Sequence, residues 1–203
     1  MRPSIFHLLA ALGCCLAIGC GGGGGGTTAG TAPVTPPAPS STYATTLVYS
    51  NPALSGYSLQ ADPASNGTGH LVLNLVGPAG TAAQGVSFFL TADPASVTWS
   101  KAGWSTYLLP GSVFDLGTAP QALAAGLLPD GGLQAGLYQK SGTAAFGSAP
   151  LASVALDLVP DAVTPGTTVS LAPTAGQQAV YLDGQGQVQP LPAAIGIGTL
   201  VAR

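Results

Sequence analysis

His70-Leu71-Val72-Leu73-Asn74-Leu75-Val76 is the stretch that sets the fold class. Successive side chains of an extended strand point to opposite sides, so Leu71, Leu73 and Leu75 share one face and His70, Val72 and Asn74 the other. Gly85-Val86-Ser87-Phe88-Phe89-Leu90-Thr91-Ala92 repeats the period of two, with Val86, Phe88 and Leu90 together. Val97–Ser100 continues it, with Val97 and Trp99 inward.

Outward from this centre the chain is a series of short apolar runs broken by Gly, Pro, Asn and Asp, which is an all-β texture. Upstream, Thr45–Ser50 reads as a first strand, and Asn66-Gly67 is a strong turn signal just before His70. Downstream, strands are expected at Leu133–Gln139, Ala152–Val159, Thr167–Leu171 and Gln178–Leu182. Asp183-Gly184-Gln185-Gly186 turns the chain into Val188–Leu191, and Gly196–Val201 closes it. Ala119–Leu128 is the one expected helix, with Pro120 near its start and Pro129-Asp130-Gly131-Gly132 behind it. Ala61-Asp62-Pro63-Ala64-Ser65 recurs as Ala92-Asp93-Pro94-Ala95-Ser96. The flanks do not align, so this reads as one turn used twice rather than an internal repeat. About nine short strands predict a β-sandwich of jelly-roll or immunoglobulin-like type.

The N-terminal 41 residues have a different texture. Arg2 gives a short positive start, and Ile5–Ile18 is an apolar run of about fourteen residues, short of the ~20 a membrane span needs. With Gly19 as the small residue before a cleavage point, this is a secretory signal. Ala17-Ile18-Gly19-Cys20 resembles the processing site of bacterial lipoproteins, although Ala17 stands where leucine is commonest. Ala11-Leu12-Gly13-Cys14 is an overlapping candidate, but it leaves too short an apolar core before it. The resemblance implies a signal peptide over residues 1–19, lipidation (palmitate-type acyl chains) at Cys20, and membrane attachment through the lipid. Gly21, rather than Asp, follows the lipidated residue, which implies the outer membrane of a two-membrane cell envelope. Residues 20–41, with the run Gly21–Gly26 and then Pro33, Pro36, Pro37 and Pro39, read as a flexible and then stiffer tether. Residues 42–203 are then one exported domain.

Composition limits what that domain can do. Charged residues are 5% of the chain and hydrophobic ones 46%, enough apolar material to fold. Beyond Arg2 there are Lys101, Lys140 and Arg203 against seven Asp, a net −4, with no glutamate. No basic cluster exists, so nucleic acid is not expected as a partner. All three cysteines (Cys14, Cys15, Cys20) precede the domain. It therefore has neither a disulfide nor a thiolate zinc site.

The order of strands and turns resembles a cohesin-type module, a jelly-roll related to carbohydrate-binding-module folds. The residues that carry the likeness are Val86-Ser87-Phe88-Phe89-Leu90-Thr91-Ala92-Asp93-Pro94, Leu151-Ala152-Ser153-Val154-Ala155-Leu156, Pro165-Gly166-Thr167-Thr168-Val169-Ser170-Leu171 and Gly196-Ile197-Gly198-Thr199-Leu200. It spans about Leu47 to Val201, and immunoglobulin-like sandwiches share much of the pattern. The resemblance implies recognition of a dockerin-like protein module through a sheet face, with no short motif naming the contact residues.

Little in the domain carries chemistry. Past the signal the single histidine is His70; no Gly-x-Ser-x-Gly elbow and no HExxH motif occurs. Asp62, Asp93, Asp130, Asp161 and Asp183 all sit in turns or beside Pro or Gly, where Asp has a structural reason to be. No catalytic residue, metal ligand or cofactor is expected. Trp104 and Tyr107, in a segment between strands, are the candidate partner-binding residues, because loop aromatics stack on sugars or anchor proteins. The expected function is a lipid-anchored, non-catalytic envelope module that binds a protein module or a polysaccharide. The alternative is a structural or assembly lipoprotein without a soluble ligand.

Overall fold

The computed structural model describes residues 42–101, 106–117 and 123–203. Sixteen strands are assigned among them. In order they are β1 (Leu47–Ser50), β2 (Ser58–Ala61), β3 (His70–Val76), β4 (Ala82–Ala83), β5 (Gly85–Ala92), β6 (Val97–Ser100), β7 (Leu109–Pro110) and β8 (Leu123–Leu127). There follow β9 (Leu133–Tyr138), β10 (Ala144–Ala145), β11 (Ala152–Leu158), β12 (Thr168–Val169), β13 (Leu171–Pro173), β14 (Val180–Leu182), β15 (Val188–Pro190) and β16 (Thr199–Ala202).

The strands form an all-β sandwich of the jelly-roll or immunoglobulin-like kind. One layer is β2-β3-β11-β6, with β7 on β11; the other is β15-β14-β5-β9-β8, with β13 on β5. A ribbon β1-β16-β12 and a short pair β10-β4 complete it. The chain crosses between these layers from β3 to β5, from β5 to β6, from β7 to β8, from β9 to β11 and from β11 to β13.

The alternation read from sequence is what builds the core. Leu71, Leu73 and Leu75 of β3 are buried, as are Val86, Phe88 and Leu90 of β5. Leu133, Ala135 and Leu137 of β9 stand opposite the β5 row, and Val154 and Leu156 of β11 opposite the β3 row. All belong to one apolar cluster, and each buried Leu, Val or Phe contributes about 1.5–3 kcal/mol. Trp99 is inward as expected, and its indole N–H donates to the Gly131 carbonyl at 3.1 Å, so its one polar atom is paired.

The repeated five-residue word folds as one turn used twice. Asp62 Oδ1 accepts from the Ala64 N–H and Asp93 Oδ1 from the Ala95 N–H. The Asp62 carbonyl accepts from the N–H groups of Ser65 and Asn66, and the Asp93 carbonyl from those of Ser96 and Val97. The carboxylate starts a single helical turn, the proline follows it, and the chain is returned to a strand.

The expected helix over Ala119–Leu128 is corrected: its described part holds the strand β8. Leu123, Ala125 and Leu127 pair in register with Leu137, Ala135 and Leu133, an alternation that Ala and Leu, both good helix formers, disguise. Pairing with β9 overrides that local preference. The strand count also exceeds nine. Four strands are two-residue ladders with no period to read, and Thr167–Leu171 splits into β12 and β13, in different sheets.

The last strand closes the domain beside its beginning. β16 pairs antiparallel with β1, Leu47 opposite Ala202, and the N–H groups of Thr45 and Thr46 donate to the Arg203 carbonyl. Gly198 makes the approach possible. Its N–H donates to the Tyr49 hydroxyl at 2.6 Å, and a Cβ there would collide with the Ser50 carbonyl. The Tyr49 hydroxyl in turn donates to the Leu59 carbonyl at 3.3 Å.

Charge is distributed unevenly along the sandwich. Asp62, His70, Asp93, Asp130, Asp157 and Asp161 all lie at or next to strand ends on the side where Thr45 and Arg203 meet. Asp115, Lys140 and Asp183 lie toward the opposite end, where Gln84 links β9 to β14.

Candidate binding face

The side of β5 that does not enter the core carries Ser87, Phe89 and Thr91. Directly opposite residues of paired strands share a face, so register assembles the surface. Gly136 and Val180 flank Ser87, Gln134 flanks Phe89, and Tyr138 and Leu182 flank Gly85. β15 adds Pro190 beside Val180 and Val188 beside Leu182. None of these residues is charged. Tyr138 is 45% exposed and Val188 62%, apolar surface left in water on this face; Tyr43, Leu54 and Leu127 are the other large exposed hydrophobics among the described residues. A side chain at Gly85 would run into Tyr138, so glycine there lets Tyr138 take its position.

The outward side of the other layer has a different chemistry. Across β2, β3 and β11 it presents Gln60, Asn74 and Ser153, the Ser153 hydroxyl donating to Asn74 Oδ1 at 2.6 Å. At its edge His70 Nδ1 meets Asp157 Oδ1 at 2.5 Å, both half exposed, with Thr98 opposite Asp157. This face satisfies its own polar groups. The β14-β5-β9 face offers side chains whose favourable state is coverage.

A hairpin holds the rim of that face. In the β14–β15 turn, Asp183 Oδ1 accepts from the N–H groups of Gln185 and Gln187, and Oδ2 from the Gln189 amide. The Gln187 N–H bond is the largest cause that holds this carboxyl below its usual range. Two buried tyrosines shift the other way. Burial raises Tyr49, and burial with the nearby Tyr181 pushes Tyr57 up to about 12. The Tyr57 hydroxyl is shielded from solvent and has no hydrogen-bond partner among the described residues.

Of the candidate site residues named from sequence, only Tyr107 is among those described. Cys20, the 1–19 signal and the tether lie outside the described residues, as does Trp104. Tyr107 is half-buried against the core near β7, in the layer away from the charge-free face, with the Lys101 ammonium 5.7 Å from its ring centroid. Tyr138, Val188 and Phe89 were missed. Phe89 carried a legible signal: a large apolar residue out of phase with Val86, Phe88 and Leu90 marks a strand that is apolar on its outward side too. Tyr138 and Val188 carried none, because single exposed apolar residues are ordinary. Among the described residues no three His, Cys, Asp or Glu side chains gather as a metal site.

No family model matches the chain, and no curated protein matches it. Among solved structures it is similar to the OlpC cohesin–dockerin complex from Clostridium thermocellum, at 11% identity and a TM-score of 0.49 over 80% of this chain and 97% of that one. It is similar also to the sixth cohesin of Acetivibrio cellulolyticus scaffoldin B, solved with a Cel5 dockerin mutant (13% identity, TM-score 0.48, 76% of this chain and 97% of that one). A cohesin from Clostridium acetobutylicum, solved in solution, gives 10% identity and a TM-score of 0.48 over 78% of this chain and 91% of that one.

Proposed function

We propose that the chain is a lipid-anchored, non-catalytic binding module of the bacterial cell envelope, attached through Cys20 to the outer membrane, whose β14-β5-β9 face takes a dockerin-like protein module. One observation carries the reading: that face is free of charge and leaves Tyr138 and Val188 in water while the opposite face satisfies itself. Aromatic and aliphatic anchors on a flat surface suit a protein partner. The strand-and-turn order from Leu47 to Val201 supports the kind of partner. A polysaccharide finds less support, because the ring of Tyr107 is half-buried and carries Lys101 near it rather than standing free as a stacking platform.

The test is affinity capture from the envelope fraction of the source cell with the purified chain and two variants on the face, Tyr138→Asp and Val188→Asp. His70→Ala on the opposite face is the control. A specific protein retained by the parent and the control and lost from both face variants is the expected result. Equal retention by all four would remove the face from the proposal. Retention of polysaccharide alone would favour the glycan reading, and self-association alone a structural lipoprotein.

A further inference from the structure

β13 and β14 are two parts of one interrupted strand. Leu171–Pro173 pair with Ala92–Leu90, and Val180–Leu182 pair with Ser87–Gly85, along the same edge of β5. An unbroken ladder would place two residues opposite Phe88 and Phe89; six residues, Thr174–Ala179, occupy the interval. Both ends of this excursion are fixed. The Thr174 N–H donates to the Phe89 carbonyl at 3.1 Å, the Gln177 N–H to the Thr174 carbonyl at 3.2 Å, and the Leu191 N–H to the Ala179 carbonyl at 3.0 Å. Gly176 supplies the positive φ, 74°, that the reversal needs.

Where the strand parts, a cleft of ≈ 250 Å³ opens, lined among others by Phe89, Pro173, Gln178, Ala179, Leu191 and Ile195. Among the described residues no charged side chain lines it. Phe89 belongs to this wall and also to the outward row of β5, so whatever lies on the face lies over the mouth of the cleft.

We infer that the break between β13 and β14 is a socket for one uncharged side chain, aromatic or branched aliphatic, projected by the protein that covers the adjoining face. The inference rests on the face reading proposed above and adds to it the chemistry of the partner's anchor. The size fits, since an apolar cavity of about 150 Å³ already takes benzene. The lining selects against charge, because an ammonium or carboxylate entering it would lose water and meet no counter-ion. A held socket beside a flat face is also where an anchor residue contributes most to specificity.

The test uses the full-length protein, isotopically labelled, titrated with four probes and followed by NMR. N-acetyl-phenylalanine amide and N-acetyl-leucine amide are the uncharged pair; N-acetyl-lysine amide and N-acetyl-aspartate amide are the charged pair. Saturable shifts at the amides of Phe89, Ala179, Leu191 and Ile195 are expected with the uncharged pair only, at a Kd on the order of 1 mM. Ala179→Leu, which fills the socket from its wall, should raise that Kd at least tenfold. If that variant fails to fold, Gln178→Trp at the exposed rim makes the same test. Val188→Asp, which lies on the face but outside the socket lining, should leave probe binding unchanged while abolishing partner capture, so the two readings fail separately. Shifts of equal size with all four probes, no shift at these amides, or binding that survives both filled variants would overturn the socket.

Discussion

Two buried rings make opposite contributions to stability. Phe88 is 1% exposed in the middle of the core; Phe88→Ala should cost about 3–5 kcal/mol, measured by urea denaturation. A loss under 1 kcal/mol would show that the β5 phase is misread. Tyr57 has its ring in an edge-on stack with Phe146, centroids 6.0 Å apart, but its hydroxyl has no partner among the described residues. Replacing it by Phe keeps the stack and removes an orphaned polar group, which should raise stability by about 1 kcal/mol. The same substitution has a signature in pH. The Tyr57 pKa is raised from 10.0 to about 12 in the folded protein, so the unfolded chain ionises first. Stability present below pH 10 is lost as pH rises toward 12. Tyr57→Phe should flatten that alkaline fall in a series of thermal melts; an unchanged fall would assign it to other groups.

Sheet elements were readable in proportion to how many alternating residues they carry. β3, β5 and β6 coincide with their expected ranges because four to eight residues of alternation leave no second interpretation. β4, β7 and β10 were invisible: a two-residue ladder has no period, and partners far away in sequence create it. β8 was legible only through β9, since the register rather than its own composition makes it a strand. The candidate face was half legible. Phe89 stands out of phase, whereas Tyr138 and Val188 become meaningful only once pairing sets them in one row across the sheet, with Gly85 and Leu182 between them. The β14–β15 hairpin gives an element-level prediction. Its turn depends on a charged Asp183 with a lowered pKa. The contribution to stability is present above the unfolded carboxyl pKa and lost as pH falls through the folded one. Protection factors in β15, with the intrinsic exchange rate divided out, should therefore fall at acid pH, and Asp183→Ala should bring the same fall to neutral pH. Exchange that ignores both would show that the hairpin is held by its strands alone.

For the molecule as a whole, stability comes from packing, since no cysteine lies beyond Cys20. The protein should give a β-rich circular dichroism spectrum that added reductant does not alter; a helical spectrum or reductant-induced unfolding would contradict the sandwich. The proposed membrane attachment is tested at this scale too. Cys20→Ser should abolish metabolic labelling with a radioactive fatty acid and release the chain from the envelope. Labelling that persists in Cys20→Ser and disappears in Cys14→Ser would move the anchor to the earlier cysteine. The uneven placement of aspartates then has a further consequence. Five of the seven, Asp62, Asp93, Asp130, Asp157 and Asp161, cluster toward the end where Thr45 and Arg203 meet, and Arg203 offsets only one of them, so that end is the negative pole of the domain. Under the proposed lipid anchor, an anionic lipid surface would repel that pole within a Debye length, about 8 Å at physiological ionic strength. A spacer that holds the domain farther off than this would spare it the repulsion, so the few charges of the domain would set how long its tether must be.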